Sequence, residues 1–305
     1  MLKLIATKLM MAALVALTVS AISFSLVYMA GDPAISLAGE NSTAEDIRII
    51  RERYGFDRPV VVQYLDWVWS ALRGDLGTSH YFNQPVSEII MDRLGTTVTL
   101  GVSAIILALV IALPLGVVAA VRPNSWIDRL AVFFAVVGEA IPSFWFGLLL
   151  IVIFAINLGV LPASGSSTWQ SFVLPTIVLG YFAAPALMRL TRAGMIDVLS
   201  SDYIRTAKAK GLKPRKILFK HALRNAVIPV VSLAAVQMGF MLGGSVVVET
   251  VFALHGAGFL AWQSISRNDL PVMQALILMF SMFYIVFTFL ADVLNAWLDP
   301  RLRGG

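Results

Sequence analysis

The side chains suited to chemistry are few, and their spacing argues against most reactions they could support. Gly243-Gly244-Ser245 with His255 supplies a hydroxyl and an imidazole of the kind an intramembrane serine protease uses. The two lie only ten residues apart, His255 falls in an expected outer loop, and no residue stands where it would orient the ring. His80 and His221 have no neighbours at metal-ligand spacing, so no metal site is expected. The absence of cysteine removes thiolate ligands, disulfides and cysteine nucleophiles. No Gly-x-x-x-x-Gly-Lys-[Ser/Thr] run occurs, so nucleotide phosphates find no cradle on this chain. What remains are the acids Glu139, Glu249 and Asp292 in or beside apolar stretches. A charge at the centre of a membrane helix costs about 2.5–3.5 kcal/mol on insertion scales, so each acid needs a partner or a purpose. One reading puts Glu139, Ser143 and Glu249 on a solute path. The other has Glu249 and Asp292 paired or hydrated at the interfaces, with Glu139 hydrogen-bonded beside a kink at Pro142.

The elements that must position these residues are apolar helices. The chain is 58% apolar and 13% charged, with a mean hydropathy of +0.82. Charge is absent from Leu9 to Gly31, Leu94 to Val121, Ala140 to Met188, Asn225 to Val248 and Leu270 to Ala291. About 20 apolar residues cross a bilayer. Six spans are expected, near 9–30, 96–121, 130–158, 172–193, 227–249 and 272–297. Leu9–Met29 is too long for a signal-peptide core, and Tyr28 spoils the cleavage site, so the first span is expected to be retained. The basic residues between Arg189 and Arg224, with Arg122, Arg129, Arg301 and Arg303, alternate with loops nearly free of positive charge. That asymmetry places both termini and the 189–224 loop in the cytoplasm.

The 31–95 segment lies outside on this reading. Ser42 with Glu45 fits a capping box for a helix ending at Gly55. Pro59 opens a second helix, with Leu65, Val68 and Leu72 on one face, ending near Gly74. Pro85 opens a third, with Val86, Ile89, Ile90 and Leu94 on one side. A cap over the membrane domain and a docking surface for an external solute-binding protein both fit. Ala235, Gly239 and Gly243 recur at every fourth residue and permit close helix packing, within the chain or against a partner. Trp67, Trp69, Trp126, Trp169, Trp262 and Trp297 sit at span boundaries as interfacial anchors.

The most informative stretch runs from Asp202 to Pro214. Ser201 suits an N-cap and Asp202 the positive end of a short helix. Ile204, Ala207 and Gly211 share one side, whose small side chains would let another surface approach. Gly211 suits a left-handed helix end, Leu212 the apolar contact after it, and Pro214 the start of a second helix. A basic amphipathic hairpin on anionic lipid would share the charge pattern.

The pattern resembles the cytoplasmic coupling loop of ABC importer permeases, the EAA loop, with Arg205-Thr206-Ala207 standing where the name-giving glutamate would be. The resemblance extends along the chain through Gly31-Asp32-Pro33-Ala34, Gly74-Asp75-Leu76-Gly77 and Ile141-Pro142-Ser143-Phe144. It continues through Leu161-Pro162-Ala163, Arg189-Leu190-Thr191-Arg192, Gly243 to Glu249 and Leu298-Asp299-Pro300-Arg301. One motif departs: His255-Gly256-Ala257-Gly258 has lost the proline of the usual Pro-Gly-x-Gly, which puts the loop geometry near 255 in question. The chain is thereby identified as resembling the first permease subunit of the dipeptide/oligopeptide/nickel branch.

The resemblance implies an all-α integral membrane protein with the type I ABC importer permease fold. Its divisions would be 1–30 as the N-terminus and first span, 31–95 as an extracytoplasmic helical segment, 96–298 as the transmembrane core with a coupling loop at 194–226, and 299–305 as a cytoplasmic tail. It implies a second permease, two ATP-binding subunits or domains carrying ATP and magnesium, and an extracytoplasmic solute-binding protein. Asp202, Tyr203, Ile204, Arg205, Thr206, Ala207, Ala209, Lys210 and Gly211 would couple this chain to the ATPases. No cofactor and no catalysis are expected on the chain itself. Di- or oligopeptides are the expected solutes, with glutathione or a nickel complex as alternatives. A secondary transporter and an intramembrane protease are the readings from other classes.

Overall fold

The structure, a computed structural model, describes residues 2–29, 32–39 and 42–298. Gly31, the terminal Asp299-Pro300-Arg301 and the side chain of Trp297 lie outside the described residues. The first helices are α1 (Leu2–Met29), α2 (Pro33–Ala38), α3 (Ala44–Tyr54), α4 (Val60–Leu72) and α5 (Val86–Val121). Then come α6 (Trp126–Ala140), α7 (Ser143–Leu150) running into a π-helix at Ile151–Asn157, and α8 (Val173–Ser200). The short α9 (Asp202–Ala209) precedes α10 (Pro214–Lys216), a π-helix at Ile217–Ala222 and α11 (Leu223–Ala226). The chain ends in α12 (Ile228–Gly244), α13 (Val246–Val251), α14 (Ala257–Ser266) and α15 (Leu270–Leu298). Among the described residues the only β pairing is an isolated bridge between Thr78 and Pro85.

Among the described residues, four helical segments, Ala6–Ser25, Val86–Val121, Trp169–Ser200 and Leu270–Asn295, are long and apolar enough to cross a membrane. Two bent pairs bring the number to six if each pair is one span. The third expected span is broken more sharply than a kink, with 100° between Trp126–Ala140 and Ser143–Asn157. The cause is local: a residue before proline avoids the helical region, and Ile141 is extended at φ −81°, ψ 122°. The fifth, expected at 227–249, begins at a 50° bend between Pro214–Ala226 and Ile228–Gly244, where Pro229 sits in the first turn of α12.

Chain contacts divide the molecule into two compact units, residues 1–97 with 255–283, and residues 98–254 with 284–305. In the first unit, Asp32 caps α2 by accepting from the Ala34 amide at 2.9 Å and also pairs with Arg51. The capping box of α3 lies one residue later than expected. Thr43, not Ser42, is the N-cap, and its partner is Asp46 rather than Glu45. The shorter Asp side chain still reaches back to the Thr43 amide at 2.9 Å. Gly55 ends the helix in the left-handed region at φ 68°, as expected.

Of the expected Leu65, Val68 and Leu72 face of α4, Leu65 and Leu72 are exposed and Val68 is partly buried. The buried side of α4 is Gln63, whose amide donates to the Arg58 carbonyl at 2.7 Å. Val86, Ile89 and Ile90 do pack inward, against Leu260, Val272 and Leu276. The loop near 255 turns without its proline: Ala253 takes a left-handed φ of 46°, and the Ala257 amide is held by Thr97 Oγ1 at 2.8 Å. This connection carries the helix α14 where a loop is expected.

The core of the second unit forms where α5 and α8 approach closely. Ala104, Ala108, Ala112 and Ala119 are buried along one stripe of α5. A Cβ added at Gly180 would lie 2.9 Å from the Ala104 carbonyl, and one at Gly116 would lie 2.8 Å from the Met188 carbonyl. Small residues therefore set the interhelical distance here.

Candidate functional site

The site centres on α9, which follows α8 after a single residue, Ser201. Ser201 occupies the N-cap position, but its hydroxyl does not cap the helix. It donates to the Val198 carbonyl at 2.6 Å instead. The end of α9 is fixed by the chain itself. Gly211 is left-handed at φ 73°, its amide donates to Lys208 O at 2.9 Å, and the Leu212 amide donates to Ala207 O at 3.3 Å. These two bonds make a Schellman motif, and Leu212 packs below it as the accompanying apolar contact.

The side of α9 bearing Ile204 and Ala207 does not face outward for a partner to approach. Ile204 is 0% and Ala207 7% exposed, and both pack with Val117, Ala120, Met195, Ile217 and Ala222. Isoleucine at the centre of that side explains the difference, since burying it removes apolar surface from water. The side left open carries Asp202, Tyr203, Arg205, Thr206, Ala209 and Lys210, all exposed. Tyr203 ties this side to the next helix: its hydroxyl donates to His221 O at 3.4 Å and accepts from Asn225 Nδ2 at 2.8 Å. The sequence-selected residues 202–211 thus form one rigid hand with an inner apolar side and an outer polar one.

Above the hand lies an ion pair that sequence reading missed. Arg192 Nε and Nη2 contact the two carboxylate oxygens of Asp128 at 2.6 and 2.7 Å. The Asn124 amide also donates to Asp128, at 2.8 Å. Asp128 is buried, and this bidentate contact fastens the start of α6 to α8. Its sequence signal was an acid in the first turn of a capped helix, facing the Arg189–Arg192 motif.

The three solute-path candidates do not come together. Glu139 Oε1 pairs with Arg189 Nη2 at 2.6 Å, and both side chains remain close to half exposed. Ser143 sits just beyond the break at Pro142 and is partly buried. Glu249 is 0% exposed and accepts from the Ser245 hydroxyl at 2.7 Å. Ser245 is thus committed to Glu249, and His255 instead packs its ring edge-on to Phe259. In the small-residue series of α12, Gly239 is buried, while Ala235 and Gly243 are partly buried. No group of three or more metal-ligating side chains occurs among the described residues.

The family model "Binding-protein-dependent transport system inner membrane component" matches residues 112–304, and its N-terminal companion matches residues 1–101. The glutathione transport system permease protein GsiC of Escherichia coli O6:H1 is 42% identical over 286 residues, covering 93% of this chain and 94% of that protein. GsiC of Salmonella typhimurium is 42% identical over 288 residues, with 94% coverage of each. Among solved structures, an inward-facing form of the MetNI methionine ABC transporter superposes with a TM-score of 0.58 at 20% identity. It covers 69% of this chain and 96% of that one.

Proposed function

Because this chain belongs to the inner membrane components of binding-protein-dependent transport systems, and is an ABC importer permease subunit of the dipeptide/oligopeptide family, we propose that it forms half of a path for short peptides. Permeases of this family are not catalytic themselves. ATP and magnesium act on partner ATPases, and an extracytoplasmic binding protein delivers the solute. Glutathione, a tripeptide, is the solute favoured by the names of the relatives, ahead of the dipeptides and nickel complexes carried by the wider branch. In this reading both termini and the 194–226 loop face the cytoplasm, 31–95 lies outside, 96–298 forms the transmembrane core and 299–305 is an inner tail.

The observation that carries the coupling role is the polar outer side of α9, held by the Schellman turn and by Ile204. ATP-driven closure of the ATPases pushes on Tyr203, Arg205, Thr206 and Ala209, and the push passes through the buried side of α9 into α8. Glu139 with Arg189 is the path candidate we retain, since the pair is open and Glu249 is fully enclosed. The Ala235, Gly239 and Gly243 stripe is assigned to close helix packing within the chain, where Gly239 is already buried.

The chain has no cysteine, so a single Ala209→Cys variant gives a clean probe. It should crosslink to the ATPase subunit and lose the crosslink when ATP hydrolysis is trapped in another state. No crosslink to any nucleotide-binding subunit would falsify the coupling assignment. Uptake of labelled glutathione and of a labelled dipeptide, in cells with and without the gene, separates the solutes. A dipeptide signal without a glutathione signal would overturn the glutathione reading and leave the permease assignment standing.

A further inference from the structure

The helix α4 belongs to the stretch expected outside the membrane, yet its contacts place it at membrane depth. The Ser20 and Tyr64 hydroxyls lie 2.8 Å apart, and Tyr64 also reaches the Leu17 carbonyl at 3.3 Å. Phe24 meets the Tyr64 ring edge-on with centroids 5.5 Å apart, and lies 6.1 Å from the Trp67 ring. Leu17, Ser20 and Phe24 belong to α1, whose charge-free run extends from Leu9 to Gly31. At a rise of about 1.5 Å per residue, Ser20 is roughly 16 Å and Phe24 roughly 22 Å into a hydrocarbon layer about 30 Å thick. A helix resting on these residues stands beside the outer half of the bilayer.

Its surface chemistry agrees. The polar residues Gln63, Asp66 and Ser70 line one side, around a cavity shared with Arg58, Asp75 and His80. The other sides carry Val61, Val62, Leu65, Trp69 and Leu72, with Leu65 59% and Leu72 76% exposed. The helix α1 on which it rests also exposes apolar side chains, at Leu14, Leu17 and Ile22. At the C-terminal end Arg73 lies over the Trp69 ring at 4.5 Å, an arrangement suited to a headgroup boundary. In water such a face would be an aggregation liability; in lipid it needs no partner.

We propose that α4 is embedded in the outer leaflet as an interfacial helix, with Val61, Leu65 and Leu72 facing acyl chains. The proposal rests on α1 crossing the membrane. The occupant of the face is lipid, and not the solute-binding protein.

The test uses single-cysteine variants Val61→Cys, Leu65→Cys and Leu72→Cys, each carrying a nitroxide. The whole transporter is reconstituted in phosphatidylethanolamine/phosphatidylglycerol vesicles. Collision with oxygen is compared with collision with an aqueous nickel chelate. Leu14→Cys reports the depth of α1, and Glu52→Cys on α3 reports water. The expected result is several-fold preference for oxygen at 61, 65 and 72, matching Leu14→Cys and opposite to Glu52→Cys. If the α4 labels read like Glu52→Cys while Leu14→Cys stays in lipid, α4 is in water and the proposal fails. Protection of such water-exposed labels by added binding protein would make the face a protein-docking surface instead. Shielding from both reagents would mean that protein covers it, and would equally overturn the proposal. If Leu14→Cys itself reads as aqueous, the membrane placement of α1 fails and the proposal falls with it.

Discussion

The two short amphipathic helices α4 and α9 solve opposite problems. In α9 the apolar side is inside, with Ile204 and Ala207 against the protein's own core, and the charged side is free. In α4 the polar residue Gln63 is inside, and valine, leucine and tryptophan side chains are left outside. Both carry the same helical periodicity. The difference teaches that amphipathicity fixes which side chains segregate together, while the surrounding solvent decides which side is turned in. A water-facing helix hides its apolar stripe, whereas α4 buries Gln63 and pairs Asp66 with Arg58 while leaving its apolar side open.

Attacking the inner side of α9 should have the largest effect. Ile204→Asp puts an unpaired carboxylate where no solvent reaches and removes an apolar anchor, at a cost on the order of 4 kcal/mol. The ATPase should no longer co-purify, and the detergent-solubilised protein should melt well below the parent. On the other helix, Leu65→Lys should destabilise if the face meets lipid, by less than the roughly 2.5–3.5 kcal/mol of a bilayer-centre charge because the ammonium can snorkel to the headgroups. If it meets water the change should be nearly neutral, so equilibrium unfolding in vesicles sharpens the contrast.

Gly211→Val comes next. No atom lies within 4 Å of an added Cβ, so only the left-handed backbone resists it, by about 1–2 kcal/mol. Transport should fall while membrane insertion holds, and Gly211→Asn should recover most of the uptake, because asparagine tolerates that conformation. Equal loss in both variants would show that side-chain volume matters instead. Gln63→Ala should cost about 1 kcal/mol by leaving the Arg58 carbonyl without its donor, a shift readable by thermal denaturation.

The smallest effect concerns His80 near α4, whose imidazole is held below its usual value by burial, with Asp269 opposing. The folded state then binds fewer protons than the unfolded one. Stability is full above about pH 6.5 and declines as the pH falls below it. Melting curves of His80→Gln should lack this slope.

The spans and the hand at 202–211 were legible because long uncharged runs and a Gly-Leu-x-Pro helix ending leave strong local signals. The capping box lies one residue later than expected because two hydroxyl residues, Ser42 and Thr43, and two acids, Glu45 and Asp46, stand side by side, and the local sequence does not choose between the two registers. The small residues Ala207 and Gly211 suit both a tight internal contact and an external one; the buried Ile204 that precedes them decides the orientation of α9. Asp128 escaped notice because its partner lies sixty-four residues away, and nothing local marks a long-range pair. The alanine stripe of α5 is less conspicuous in the sequence than the glycines of α12, although alanine serves close packing as well.

The Schellman turn at Gly211 has one more consequence. Its bonds are all internal to the chain, so the hand is folded before anything docks on it. Whatever surface it meets need not supply the ordering entropy that a disordered segment would demand on association, and the interface can remain small and still be specific.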